Sequence, residues 1–531
     1  MLVNVGKLMS HTSTKGGGGV KHPFNPSLVD AWFMSGLSNS DKPTQIVGVK
    51  KNKLQLKNFA YALNSGFGKY AVNWNGFVKA TANANFTNTD SSIHLTEILV
   101  ADSKFLQTSV DATISSYQVK VEGITDDIKL RYVSYAEDGT GTYTYLKNGI
   151  NNLPISYKKY TGFAASVVGA CNITITQLPT AYEGALVFDG VDDYGICTGL
   201  PILDDYTVIC RREIINKDYY SIASKSTIIG KGAFILEVTL NKINYCYSFA
   251  VDNQINLYNS EISWQTKNSY NGNTIKTGNK KDTDTLTLGI VREGDGRFLK
   301  GAIYYFALYN KSLTPEEIET EKERLNEEWL KRSKVTIPEP DVYYDLSLKD
   351  NSSPTRNIID DLSGNGRNAE IFNAAYTESS GYRSDGAFVF DGIDDYVVMQ
   401  DEKKGFKTLF MEVVPFNLNK IIYDQRNTTN NFAIFNEPNS VAYNARNNGV
   451  TYINGKLNQT IISNNLIDKR QIITIVNGNV GNAKYNITIG SSPLHNEHFS
   501  NMALYKLIGF YDELTPLQIE KVINDYKLKH D

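Results

Sequence analysis

Phe188-Asp189-Gly190-Val191-Asp192-Asp193-Tyr194 returns later in the chain as Phe390-Asp391-Gly392-Ile393-Asp394-Asp395-Tyr396. Both copies follow a Gly-Ala-apolar-Val lead-in, Gly184 to Val187 and Gly386 to Val389. A closing phrase repeats too: Phe306-Ala307-Leu308-Tyr309 leads to Leu313-Thr314-Pro315, and Ile508-Gly509-Phe510-Tyr511 leads to Leu514-Thr515-Pro516. Phe188 to Tyr309 and Phe390 to Tyr511 span the same separation, 121 residues. Two landmarks at one separation indicate a duplicated domain.

The pattern apolar-x-F-D-G-x-D-D-Y, then paired strands, then L-Y-x-x-x-L-T-P-x-x-I, resembles the laminin-G-like, concanavalin A-like jelly roll. The resemblance covers both repeats. It implies an all-β protein of two such sandwiches and says less about function, because this fold hosts lectins, glucanases and plain spacers.

Length bounds the rest. At 531 residues about three to four domains are expected. Aromatics make up 11%, led by 33 Tyr, which suits half-buried pleated surfaces. The net charge is −3 with Lys and Arg dispersed, so neither nucleic acid nor an anionic membrane is indicated as a partner. No apolar run is long enough to span a bilayer, and no apolar core of a secretion signal follows Met1. Cys171, Cys197, Cys210 and Cys246 all fall in the first half; a disulfide framework would recur in both copies, so free, mostly buried thiols are expected.

Taken in order, residues 1–28 read as an extended arm with four consecutive glycines and too little apolar surface to fold alone. The first jelly roll is expected over 29–67 plus 184–330. After Gly381-Tyr382 the second copy reaches Gly386 in a few residues, whereas after Gly66-Phe67 the first takes until Gly184. Residues 68–183 therefore read as an inserted, Ig-like β-sandwich, with alternating strands at 118–122, 128–133, 142–146 and 171–176. A stiff linker, 331–340, precedes the second jelly roll, 341–531. That copy carries the Gly/Asn-rich turn Asp361 to Asn368, whose counterpart Gly48 to Asn52 reads as decayed. Each copy closes on one helix opened by a capping box, Thr314-Pro315-Glu316-Glu317 and Thr515-Pro516-Leu517-Gln518. Ile318, Leu325 and Trp329 are the expected anchors of the first helix, and Ile519, Val522, Ile523 and Tyr526 those of the second.

Glucanases of the resembled fold carry E-x-D-x-E on one strand, where alternate carboxylates share a face; no such spacing occurs here. A G-x-S-x-G elbow, an H-E-x-x-H pair and a phosphate-binding loop are also missing from the sequence, which reads as that of a non-enzyme. The repeated acidic residues Asp189, Asp192, Asp193, Asp391, Asp394 and Asp395 admit two readings. They suit Ca²⁺, a cofactor that some members of the resembled fold bind, or they bond backbone amides in a tight turn that glycine permits. His495-Asn496-Glu497-His498 reads as an ordinary surface loop. Trp264 and Tyr270, in the polar stretch Tyr258 to Asp282, are the sugar-contact candidates. An exposed Trp on a rim loop stacks on the C–H face of a sugar, while the competing reading makes it core.

The wording around Cys171 to Pro179 and the motif after it resembles modules of crAss-like tailed bacteriophages. That implies a virion fibre or decoration protein, folded in the host cytoplasm, exposed on the particle and multimeric as a dimer or trimer. Leu2, Val3, Val5, Leu8 and Met9 in the arm would attach it to other virion proteins, and its jelly rolls would bind host-surface glycans. The alternatives are a bacterial surface polysaccharide-binding adhesin and a glycoside hydrolase.

Overall fold

The computed structural model describes residues 24–530 apart from 216–219, 229–230, 241–242, 256–261, 280–281, 293–295, 401–403, 418–419, 426–432, 437–449, 458–466, 477–485, 493 and 495–498. The arm residues Leu2, Val3, Val5, Leu8 and Met9 and the His495–His498 loop lie outside the described residues. The chain is all-β with two helices among the described residues, and it divides after Lys334 into two compact units.

In the unit ending at Lys334, strand Lys300–Tyr309 is the spine. It pairs antiparallel with Leu28–Phe33, Ala181–Asp189 and Thr207–Ile214. These strands belong to an eight-stranded sheet, counted over the described residues, and a second eight-stranded sheet runs from Gln45–Val47 to Val251–Gln254. Trp32, Phe306 and Leu308 from the first sheet meet Leu54, Phe234 and Leu288 from the second in one core. Both faces of the spine are covered, so its residues after Lys300 are buried without alternation.

Residues 78–177 form two further five-stranded sheets. Here alternation is clean: in Tyr117–Glu122 the residues Tyr117, Val119 and Val121 are buried, while Lys120 and Glu122 face solvent. Ile93, Leu95 and Ile175 of one sheet pack against Leu106, Tyr132 and Phe163 of the other. The chain enters and leaves this module side by side. Lys69 pairs with Ala181, the Thr180 amide donates to the Lys69 carbonyl, and the buried Gln177 side chain accepts from the Ala71 and Val72 amides while donating to the Val72 carbonyl.

The second unit repeats the plan. Asn501–Phe510 pairs with Val342–Asp345, Phe388–Asp391 and Thr408–Pro415. The opposing sheet of six described strands runs from Ile358–Ile359 to Ala433–Asn436. Its core joins Tyr344, Phe390, Met411 and Leu507 with Ile371, Val397 and Ile489.

The registers correct the alignment of the closing phrases by one residue. Thr207 lies opposite Tyr309, whereas Thr408 lies opposite Phe510, so Phe510 and not Tyr511 is the counterpart of Tyr309. Both threonines do the same work. Thr207 Oγ1 donates to the Lys311 carbonyl and accepts from the Leu313 amide, and Thr408 Oγ1 does so with Asp512 and Leu514.

Helix α1 is Pro315–Ser333 and helix α2 is Pro516–Asp525, each opened by a complete capping box. α1 buries Ile318, Leu325 and Trp329 and continues past residue 330 into the expected linker, to a left-handed cap at Lys334. Trp329 Nε1 donates to the Gly184 carbonyl and its ring meets Tyr304 edge-on at 5.6 Å. α2 buries Leu517, Ile519 and Val522; Ile523 and Tyr526 pack at the margin. No helix among the described residues is long and apolar enough to cross a membrane. Cys197, Cys210 and Cys246 are buried and Cys171 half-buried, all as free thiols.

Candidate functional site

The repeated Asp-Gly motif closes a strand and turns it sharply. Gly190 and Gly392 sit at φ +82° and +80°, and a Cβ on either would meet the Cβ of Lys300 or Asn501 at 2.8 Å. Asp189 Oδ1 accepts from the Val191 amide at 2.7 Å, and Asp391 Oδ1 accepts from the Ile393 amide at 2.7 Å. The last aspartate reaches back: Asp193 Oδ2 accepts from the Asp189 amide, and Asp395 Oδ2 from the Asp391 amide. Asn58 and Asn373 donate to the carbonyls of Asp192 and Asp394.

The three carboxylates of each turn lie within 4.8 Å of one another. Part of that oxygen set is already engaged within the turn. Asp193 is fully buried, and burial, aided by the charges of Asp189 and Asp192, pushes its carboxyl up to about 7. Its other oxygen, Oδ1, accepts from Ser65 Oγ at 3.0 Å. Asp395 is equally buried and its carboxyl is raised in the same direction, first by burial, with the charges of Asp391 and Asp394 adding to it. Calcium wants six to eight oxygens and full negative charge. Asp189, Asp193, Asp391 and Asp395 each have an oxygen already engaged by a backbone amide of their own turn.

Trp264 and Tyr270 are not on an exposed rim. Trp264 lies in strand Ile262–Thr266, paired with Thr207–Ile214, and is 9% exposed. Tyr270 is buried, and its hydroxyl donates to Glu237 Oε1 at 2.8 Å, where Arg212 Nη2 also meets both Glu237 oxygens. Gln265, next to Trp264, is internal too, with Nε2 donating to the Tyr206 hydroxyl and the Tyr247 carbonyl, while Asn268, Asn273 and Lys276 farther along are exposed.

A groove that no motif announces opens on the second jelly roll. It has a volume of about 420 Å³ and is lined by Ile358, Gly366, Arg367, Asn368, Ala369, Glu370 and Gln400. Gln400 Nε2 donates to Glu370 Oε2 at 3.0 Å across neighbouring strands. The turn above it, Asp360 to Asn368, is two residues longer than the corresponding Val47 to Lys53. In the first copy Gln45, Gln55 and Thr198 stand where the second has Ile358, Glu370 and Gln400, and Gln55 donates to Gln45. The only sequence signal for the groove was that longer Gly/Asn-rich turn.

No family model matches the chain, and no curated protein matches it. Among solved structures, the botulinum neurotoxin serotype D binding domain is similar at 13% identity and a TM-score of 0.25, over 64% of this chain and 90% of that one. The same toxin's ligand binding domain in complex with N-acetylneuraminic acid matches at 12% and 0.23, over 64% and 90%. Trypanosoma rangeli sialidase in complex with the inhibitor DANA matches at 10% and 0.21, over 83% and 93%. Scores of this size fix neither ligand nor activity for this chain.

Proposed function

We propose that this chain is a non-enzymatic structural and recognition protein of a virion, a fibre or decoration protein of a tailed phage whose jelly rolls bind carbohydrate on the host surface. The observation that carries the reading is how the polar residues are divided. Asp189, Asp193, Asp391 and Asp395, acidic residues that both copies share, are engaged in holding their own turns, while polar residues that differ between the copies line an open groove on the second. Shared chemistry that builds the fold, beside unshared chemistry facing solvent, is what duplicated binding modules present. Free cysteines suit folding in a reducing cytoplasm before exposure on a particle.

The test is to raise antibody against the recombinant chain and apply it to purified particles and to host-cell fractions. Labelling of the particle exterior is expected. Its presence only in the bacterial envelope would replace this reading with the adhesin, and release of sugar products on incubation with host polysaccharide would replace it with the hydrolase.

A further inference from the structure

We infer that the groove over strand Ala369–Phe372 holds one uncharged pyranose unit of a glycan, a hexose or N-acetylhexosamine, and selects against acidic sugars; this rests on the recognition reading above and names its site and ligand class. The cavity's size, about 420 Å³, lies in the range of small-ligand sites and suits a single ring better than a long chain.

One wall is fixed in advance. Arg367 Nη1 donates to the Asp341 carbonyl at 2.7 Å, the Arg367 amide donates to Asp361 Oδ2, and Asn368 Oδ1 accepts from the Asp361 amide. Held this way, Arg367 and Asn368 lose little freedom on binding, which lowers the entropic cost of a modest polar contact. The opposite side is the Glu370–Gln400 pair, a carboxylate acceptor joined to an amide able to donate and accept. Ile358, half-buried, supplies apolar surface of the kind that a pyranose C–H face covers, while Ala369 itself is buried in the core.

Charge decides the class. Arg367 and Glu370 offset each other within the lining, Asp360 is paired with Lys349 at 2.9 Å and Asp361 holds backbone amides, so a sugar carboxylate would find no net positive charge there. Hydroxyls, by contrast, are satisfied by alternating donors and acceptors. The first copy differs at these positions, where Gln55 donates to Gln45 and the turn is two residues shorter.

The experiment is saturation-transfer difference NMR on the full chain with glucose, galactose, mannose, N-acetylglucosamine, N-acetylgalactosamine and N-acetylneuraminic acid, each tested alone. The expected result is transfer to at least one uncharged sugar, none to N-acetylneuraminic acid, and weakening of about tenfold or more in Glu370→Ala and in Gln400→Ala, the loss of roughly one good hydrogen bond. Both side chains are solvent-facing, so melting temperatures should stay at the parent value, which guards against misfolding. Sugar binding that survives both substitutions would overturn the groove and leave the recognition reading standing. Preference for N-acetylneuraminic acid would overturn the ligand class, and transfer to none of the six would end the site together with the carbohydrate reading.

Discussion

Asp30 and Asp361 are not equivalent positions in the two jelly rolls, yet their carboxylates hold the same three backbone amides. Asp30, on strand Leu28–Phe33, accepts from the amides of Ala31, Lys50 and Asn52. Asp361, in the turn, accepts from the amides of Tyr343, Ser363 and Arg367, the counterparts of those three. Where one copy has the carboxylate the other has its complement: Val342 answers to Asp30, and Gly48 answers to Asp361. A Cβ on Gly48 would lie 2.4 Å from the Asp30 carboxylate. The first turn is therefore rebuilt rather than decayed.

Asp30→Ala or Asp361→Ala should each cost about 1–3 kcal/mol, because three amides, most of them half-buried, lose a charged acceptor. The exchange Asp30→Val with Gly48→Asp should recover most of the loss in the first copy. Chemical denaturation measures both; a double variant no better than Asp30→Ala would refute the equivalence.

As turn formers, the motif aspartates should be indifferent to calcium. Asp189→Ala and Asp391→Ala are expected to lower the melting temperature equally in chelator and in millimolar calcium. A difference confined to calcium would restore the metal reading.

Asp193 should make stability depend on pH with a definite sign. Burial raises its folded carboxyl to about 7, well above the ordinary carboxylate value of 3.8, so the folded state keeps a proton that the unfolded chain releases. The contribution is full below about pH 4 and is lost as pH rises through 7. Asp193→Asn cannot ionise and keeps an acceptor for the Asp189 amide. Measured from pH 4 to pH 8, the parent should lose melting temperature relative to this variant; parallel profiles would show that the proton is not retained.

The fold class was legible because it rests on short-range signals: the doubled motif, the period-two alternation of Tyr117–Glu122, and capping boxes whose partners lie three residues apart. The carboxylate swap was not, since Asp30 and Asn52 meet only when two strands pair. Trp264 misled because polar neighbours such as Gln265 look exposed until the folded chain supplies Tyr206 and Tyr247 as partners. The groove gathers residues from three separate segments, and only the long turn left a trace in the sequence.

The arm is the remaining expectation. Deleting residues 2–22 should leave the melting temperature unchanged and remove the protein from purified particles, because a segment with only six apolar residues has too little apolar surface to fold alone. Particles that incorporate the truncated chain normally would end that idea.

The paired crossing at Lys69 and Ala181 carries a mechanical consequence. Pull on the two ends of the chain, and tension reaches this crossing through the strands on either side of it. The module of residues 78–177 hangs beside the line of force, shielded by the Lys69–Thr180 contact and by Gln177 clamped onto Ala71 and Val72. Those few bonds are loaded one after another, as in opening a zipper, and until they part the module bears no load. It is a reserve of chain length that extends only after the first jelly roll has begun to yield.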